Sequence, residues 1–334
     1  MKDLSGITVS RCEYKEIDDF LLFAERMQEK RSMVPSAEKE IILRKYRPYK
    51  KNSRLLNIFV IKDNGRMVGC SGYIPFKGFF KKKKIQGIIG SDFVIDPAHS
   101  KTHGALAAPL FRNYKSLIID DKLFCLNFPI NQKVSRSFKS AQWKEFSYVD
   151  VFYHPLLFGI KPRLSVPGVE VKPLKNFDKD MTAFFKNVSG QHEFILNADS
   201  DFLNWRYFND PYVSYSAFMA VKNKKIVGYV IAEKRKQIIE IVDLMVNLEN
   251  PAVILLLIYN LFDSLEQEKC LKAACYATHR QYVDVLKKGG FFYNRSYECL
   301  FFKLSALFSS MSPAAIFNSQ SNLYHFNGFT NYLC

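Results

Sequence analysis

Two stretches of this sequence, about half a chain apart, repeat one pattern. Ile61-Lys62-Asp63-Asn64-Gly65-Arg66-Met67-Val68-Gly69 and Val221-Lys222-Asn223-Lys224-Lys225-Ile226-Val227-Gly228 each join an apolar strand, a short polar turn and a second strand opening on Val-Gly. Asn and Gly tolerate positive φ, so Asp63-Asn64-Gly65 and Asn223-Lys224 are hairpin chemistry. One such hairpin is commonplace; two at this separation point to a duplication. The flanking sequence agrees. Residues 86–95 read as a strand carrying Asp92, and residues 238–246 as a strand carrying Asp243. Each strand feeds a helix (104–119 or 251–265), a short buried strand (122–128 or 271–274), a second helix (131–141 or 279–288) and a final strand pair. In the 251–265 helix, Val253, Leu256, Leu257, Asn260 and Leu261 fall near one face at helical spacing. Helices at 16–31 and 178–187 precede the two hairpins, with 199–208 as a further helix.

The expected fold is therefore α/β (α+β), with two similar domains, each a mixed central sheet flanked by helices on both faces. The boundaries read from breakers and periodicity are 1–158, a linker at 159–168 holding Pro162, Pro167 and Gly168, a second domain at 169–304, and a tail at 305–334. The total of 334 residues suits two domains. With 30 Phe and 18 Tyr the chain can bury substantial cores, which excludes global disorder.

Composition narrows the setting. The longest apolar run, 253–262, is interrupted by Tyr259 and Asn260 and falls short of the roughly 20 residues of a membrane span. No signal-peptide pattern opens the chain. Seven cysteines, odd in number and without CxxC spacing, read as free thiols in a reducing compartment. The expectation is a cytoplasmic protein without a metal site. A net charge of +16 suits nucleic acid, an anionic surface or phosphate-rich small molecules. Its densest cluster, Lys81-Lys82-Lys83-Lys84, also reads as a solvated hairpin tip.

The order of elements, with the loop Asp96-Pro97-Ala98-His99-Ser100-Lys101-Thr102-His103-Gly104-Ala105-Leu106 between strand and helix, resembles the GCN5-related N-acetyltransferase (GNAT) superfamily. The family pattern Val-x-Pro-x-x-Arg-Gly-x-Gly-x-Gly maps here as Ile95, Pro97, Lys101 and Gly104. Lys101 stands for the usual Arg or Gln, Thr102 for a frequent Gly, and Leu106 for the last Gly or Ala. Leu126-Asn127-Phe128-Pro129-Ile130-Asn131 with Phe138 and Trp143 resembles a second family stretch. Cys275-Tyr276-Ala277-Thr278 with Gly289-Gly290-Phe291 resembles its equivalent in the second half.

The resemblance implies an acyl-CoA-dependent N-acyltransferase, with acetyl-CoA as donor and the primary amine of a small molecule, such as an amino sugar or amino acid, as acceptor. Phe93, Val94, Ile95 and the run Lys101, Thr102, His103, Gly104, Ala105 and Leu106 would hold the coenzyme. The physics of that loop is general: unpaired amides and the dipole at a helix N-terminus favour a pyrophosphate, and Gly104 permits close approach. The plainer reading is that Gly104 merely starts a helix. Asp92 is the candidate base, or else one of two equivalent aspartates with a shared structural hydrogen bond. Asn131 would position coenzyme or water. Arg206, Asp243 and Tyr276 are candidate acceptor contacts, with Arg206 alternatively part of a helix end packed by aromatics and tied to a carbonyl or carboxylate. The second loop, Asn247-Leu248-Glu249-Asn250-Pro251, has no glycine and carries an acid, so the second domain is expected to have lost coenzyme binding.

Two other readings stay open. Fem-type aminoacyltransferases are also tandem GNAT-like proteins and use aminoacyl-tRNA, a polyanion that would suit the basic cluster. A degenerate module that binds a metabolite or a protein without catalysis is the other. The oligomeric state is not legible.

Overall fold

The computed structural model describes residues 6–30, 38–46, 54–80, 82–102, 106, 110, 123–127, 132–140, 143–156, 164–192, 194–196, 199–210, 213–265, 270–277 and 279–303. Its strands are β1 (Ile7–Glu13), β2 (Leu55–Asp63), β3 (Arg66–Phe80), β4 (Lys83–Ile95), β5 (Leu123–Asn127), β6 (Lys144–Pro155) and β7 (Val169–Pro173). They continue as β8 (Phe194–Leu196), β9 (Tyr215–Lys222), β10 (Lys225–Arg235), β11 (Ile238–Val246), β12 (Lys272–Ala277) and β13 (Phe292–Lys303). The helices are α1 (Ile17–Lys30), α2 (Lys39–Tyr46), α3 (Gln132–Ser140), α4 (Lys179–Ser189), α5 (Ser200–Leu203), α6 (Ala252–Ser264) and α7 (Arg280–Lys288). The segment read as one helix over 199–208 is α5 running into a π-helical turn, Asn204–Phe208.

Both hairpins form as their turn residues dictate. Asn64 and Gly65 adopt φ of 47° and 82°, and Asn223 and Lys224 adopt 50° and 62°. Paired left-handed residues match the twist of two-residue β-hairpins. The copies then agree bond for bond. Asp96 N–H donates to the Val68 carbonyl at 2.9 Å, as Asn247 N–H donates to Val227 at 2.9 Å. Trp143 N–H donates to Phe138 at 3.1 Å, as Phe291 N–H donates to Leu286 at 3.0 Å.

Among the described residues thirteen strands form one sheet, in the order β1-β2-β3-β4-β5-β13-β6-β12-β11-β10-β9-β7, with β8 joined to β3. The order is palindromic by equivalence: β1 matches β7, β2 matches β9, and so on inward to β5 and β12. At the centre the last strands have changed places. β13, from the C-terminal half, bonds to β5 of the first half, and β6 bonds to β12 of the second. The two exchanged strands also pair with each other along most of their length. Neither sequence half therefore completes its sheet from its own residues.

A second tie crosses the halves. The end of the β3–β4 hairpin reaches over the second half, where Ile74, Phe76 and Ile85 join a core containing Met181, Phe184 and Phe185 of α4 and most of α6. There β3 pairs with β8 from Gly78–Leu196 to Phe80–Phe194. Glycine at 78 is required by this approach, since a Cβ there would lie 2.6 Å from the Ile195 carbonyl oxygen. Two smaller cores serve the first half. One lies under α1 and α2 around Phe20, Phe23, Ile42 and Tyr46. The other, on the opposite face, holds Leu106 and Leu110, four residues apart as on a helix, with Phe138 and Trp143.

Gly78→Ala is expected to push β8 from β3 and to destabilise the protein by about 1–3 kcal/mol, the usual cost of forcing extra atoms into a packed site. Urea unfolding checks this, with a lowered midpoint at unchanged slope as the expected result.

Candidate active site

The cleft opens where β4 and β5 stop pairing. These parallel strands bond from Gln86–Leu123 to Ile89–Leu126, while β4 itself runs on to Ile95. β11 and β12 repeat this, pairing from Ile238–Lys272 to Ile241–Cys275. In both copies the split falls just before a bulge. Between the pairs Gly72–Ser91 and Cys70–Val94, Asp92 and Phe93 stand opposite Ser71 alone, and Asp92 adopts a left-handed φ of 46°. An extra residue in one strand bends it and raises its twist, which carries the end of β4 away from β5. In β11 the extra residue is Val242, between the pairs Ala232–Ile241 and Ile231–Asp243.

The bulge also breaks alternation at one point. Ser91 and Asp92 both face α2, where the Tyr46 hydroxyl lies 3.0 Å from Ser91 Oγ and donates to Asp92 Oδ2. Alternation then resumes, with Val94 in the core under α1 and α2 and Phe93 and Ile95 on the opposite face. Lys45 Nζ meets the same Asp92 oxygen at 2.8 Å, both side chains being almost fully buried. Burial first, and the Asp92 charge second, hold the Tyr46 hydroxyl well above its usual pKa, so it stays a donor. Gly72 makes room for this ring, because a Cβ there would overlap Tyr46. The second half has its own version: Tyr229 donates to Asp243 Oδ2 at 3.1 Å, and the buried Tyr207 hydroxyl is raised by burial and then by Asp243.

What fills each cleft differs. Backbone N–H groups alternate in direction along a strand. Asp96 and Asn247 point theirs at the hairpin partner, so Ile95 and Val246 point theirs into the cleft. Val246 N–H donates to the hydroxyl of Tyr282 on α7 at 2.9 Å. The matched bonds that align Phe138 with Leu286 and Trp143 with Phe291 align Tyr282 with Val134, which has no hydroxyl. The following loop is treated likewise. In the second half Gln191 donates to Asn247 Oδ1 at 2.8 Å and accepts from Leu248 N–H at 2.9 Å. In the first half Asp96 caps Ala98 N–H at 3.0 Å, and His99 bonds Asp63 at 3.2 Å. The 3-10 turns of Pro97–Thr102 are thereby tethered to the β2–β3 hairpin.

The other expected site residues fall as follows. Arg206 is buried between Tyr207 and Tyr215, bonds the Tyr215 hydroxyl at 2.8 Å and lies 3.7 Å from Asp210. That is the packed helix end tied to a carboxylate. Asp243 is buried behind Tyr229. Tyr276 sits on β12 one residue beyond the last pair with β11, at the mouth of the second cleft. His103, Gly104, Ala105 and Asn131, with the side chains of Lys101 and Thr102, lie outside the described residues. Sequence reasoning missed Lys45, Tyr46 and Gln191. A signal for the first two existed: Arg44-Lys45-Tyr46 parallels Trp205-Arg206-Tyr207, and each precedes its hairpin at a similar distance.

Beside the sealed loop, His192 and His279 pack edge to face at 5.2 Å. Burial lowers His279 to about 4; burial, then the charge of His279, lowers His192 to about 3. Both are neutral when folded, whereas the unfolded chain protonates near 6.5. Their contribution to stability is thus complete above pH 6.5 and is lost as pH falls below it. Urea unfolding at pH 7.5 and 5.0 is expected to show a loss of about 1.4 kcal/mol per pH unit per histidine below 6.5, and a shallower loss in His192→Leu. Tyr282→Phe, which strands the buried Val246 N–H, is expected to cost about 1–3 kcal/mol in the same assay at pH 7.5.

No family model matches the chain, and no curated protein matches it by sequence. Solved structures do match by shape. A GCN5-related N-acetyltransferase from Anabaena variabilis is 13% identical over 90% of this chain and 73% of its own, with a TM-score of 0.65. A tandem GNAT protein from the clavulanic acid biosynthesis pathway is 10% identical over 90% of this chain and 99% of its own, at 0.60. Saccharomyces cerevisiae N-myristoyltransferase with bound myristoyl-CoA is 11% identical over 97% of this chain and 90% of its own, at 0.61. With bulged, splayed strand pairs in both halves and likenesses of this extent, the chain has the fold of the GCN5-related N-acetyltransferases.

Proposed function

We propose that the protein is an acyl-CoA-dependent N-acyltransferase that binds its donor in the first half alone, with acetyl-CoA as donor and the primary amine of a small molecule as acceptor. The observation that carries this reading is the asymmetry between two matched clefts. The second has its strand amide bonded to Tyr282 and its loop amide bonded to Gln191. The first has valine at the position of Tyr282 and glycine at 104 in its loop. The fold neighbours include proteins named as N-acetyltransferases and an N-myristoyltransferase carrying myristoyl-CoA, which supports a thioester donor.

In this reading the loop from Lys101 through Thr102, His103, Gly104 and Ala105 to Leu106 holds the pyrophosphate by backbone amides, with Lys101 and His103 adding positive charge. The Ile95 N–H, directed into the cleft beside Phe93 and Val94, donates to the thioester carbonyl as its oxygen gains charge. The acceptor nitrogen, neutral when it reacts, attacks the carbonyl carbon, the carbon–sulfur bond breaks, and the proton shed by the nitrogen passes to water or to the departing thiolate. The leaving thiolate has a free pKa near 8.5, so departure at neutral pH needs no tyrosine, and α3 offers none. Asn131, at the entry to α3, orients water or coenzyme.

The second reading, aminoacyl-tRNA as donor, rests on the exposed Lys77, Lys82 and Lys84 of the long hairpin. One assay separates the two: thermal unfolding with acetyl-CoA, a longer acyl-CoA, CoA and bulk tRNA, at low and high salt. The expected outcome is a raised Tm with acyl-CoA, equivalent to about 2.7 kcal/mol at a hundredfold excess over Kd. It should be lost in Gly104→Glu and kept in Tyr282→Phe. Calorimetric titration should then give one site per chain. Indifference to every coenzyme would overturn the proposal, and stabilisation by tRNA alone, abolished by salt, would favour the alternative.

A further inference from the structure

The end of α2 holds both halves at once. Tyr46 and Lys45 grip Asp92 at the first bulge. Arg44, the residue before them, reaches the other way. Its guanidinium donates to the carbonyl of Trp205 at 2.6 Å and to that of Asn209, stacks over the Trp205 ring at 5.8 Å, and lies 3.7 Å from Asp210. These carbonyls sit at the C-terminal end of the helical segment that begins with α5, where the dipole leaves partial negative charge and a cation is the natural complement. Asp210 lies equally 3.7 Å from Arg206, and Tyr207, the next residue, abuts Asp243 at the second bulge. A line of charged and hydrogen-bonding groups thus runs from Asp92 through α2, Asp210 and the Arg206-Tyr207 pair to Asp243.

We infer that this line couples the halves: Arg44 is a positioning residue through which the closed second half sets the bulge of the open first half. Asp92 is likewise a positioning residue, holding the curvature of β4 rather than taking the proton from the acceptor. Two independent observations carry this. First, Asp243 also accepts from a buried tyrosine, here Tyr229 of β10 rather than a residue of the preceding helix, in the half whose cleft amide is bonded to Tyr282, so an aspartate at this place in the strand serves the sheet in both halves. Second, Asp92 Oδ2 holds Lys45 and Tyr46 together. A carboxylate oxygen that already accepts from a buried ammonium and a buried hydroxyl is occupied in holding α2 to β4. Coupling of this kind requires a physical element that both sites bias, and the three consecutive residues of α2 supply it.

The coupling stands on geometry; only the part concerning the acceptor's proton rests on the proposed activity, so the test has two arms. Amide hydrogen exchange of the ligand-free full chain is followed in peptides covering β4 and, as an internal reference, α7. Arg44→Met and Asp210→Asn are expected to speed exchange across residues 88–95 at least tenfold with α7 unchanged, and Arg44→Lys to give a smaller effect. Should Arg44→Met not fold, the other two variants carry the comparison. Unchanged protection of residues 88–95 in the folded variants would overturn the coupling. The second arm is the pH profile of kcat/KM with acyl-CoA. Asp92→Asn should lower the whole profile and leave its acid limb in place, and disappearance of that limb would make Asp92 the base. Absence of turnover in the wild type would sink the proposed function while leaving the exchange result to decide the coupling.

Discussion

The bulge at Asp92 decides where β4 and β5 part, and the cleft exists because they part there. Parallel neighbours would otherwise continue their ladder and leave no inward-facing amide without a strand partner. A left-handed aspartate in a strand is conformationally costly, so something must hold it. Here a buried lysine and a buried tyrosine do, on a single carboxylate oxygen, and Gly72 clears the space the ring needs. Carboxylate, ammonium and phenol are each expensive to bury alone and acceptable together. That mutual requirement ties α2 to β4 and fixes the near wall of the site.

The two halves show one frame put to two uses. Backbone bonds around Asp96 and Asn247, and around Trp143 and Phe291, match to within 0.1 Å. What differs is a few side chains. Tyr282 and Gln191 satisfy in the second half a strand amide and a loop amide. A protein hydroxyl bonded to a cleft amide is always present at high effective concentration, so a weakly held ligand does not displace it. The second half also keeps its bulge and clasp, which points to their role in shaping the sheet. Its contribution to the first half is physical as well: it supplies β13 as the neighbour of β5, and it anchors Arg44.

Local chemistry made much of this legible. Asn64-Gly65 and Asn223-Lys224 announced hairpins because left-handed φ is a property of a residue and its neighbours. The strand over 238–246, the helix read over 251–265 and observed at Ala252–Ser264, and the pairing of Asp92 with Asp243 followed from periodicity and from the repeat. Helix α2 escaped because eight residues with Lys, Glu and Arg interspersed carry little periodic signal. The role of Asp92 escaped for a different reason: an aspartate in a strand looks alike whether its carboxylate meets a substrate or a buried lysine.

By itself, then, the sequence determined that the hairpin pattern occurs twice, that the second copy runs hairpin, strand, helix, strand, helix, strand, and that the two connecting loops differ in glycine and charge; most of the first copy's helix over 104–119 lies outside the described residues. These are matters of side-chain identity and short-range backbone preference. Only the tertiary structure decided that β6 and β13 exchange places, that the long hairpin enters the second core, and that Tyr282 and Gln191 close one cleft. Strand pairing is made by backbone groups common to every residue, so nothing in β13 itself says whether β5 or β12 will be its neighbour. The choice is made by which cores the strand can bury its faces against, and that is known only when the whole sheet is assembled.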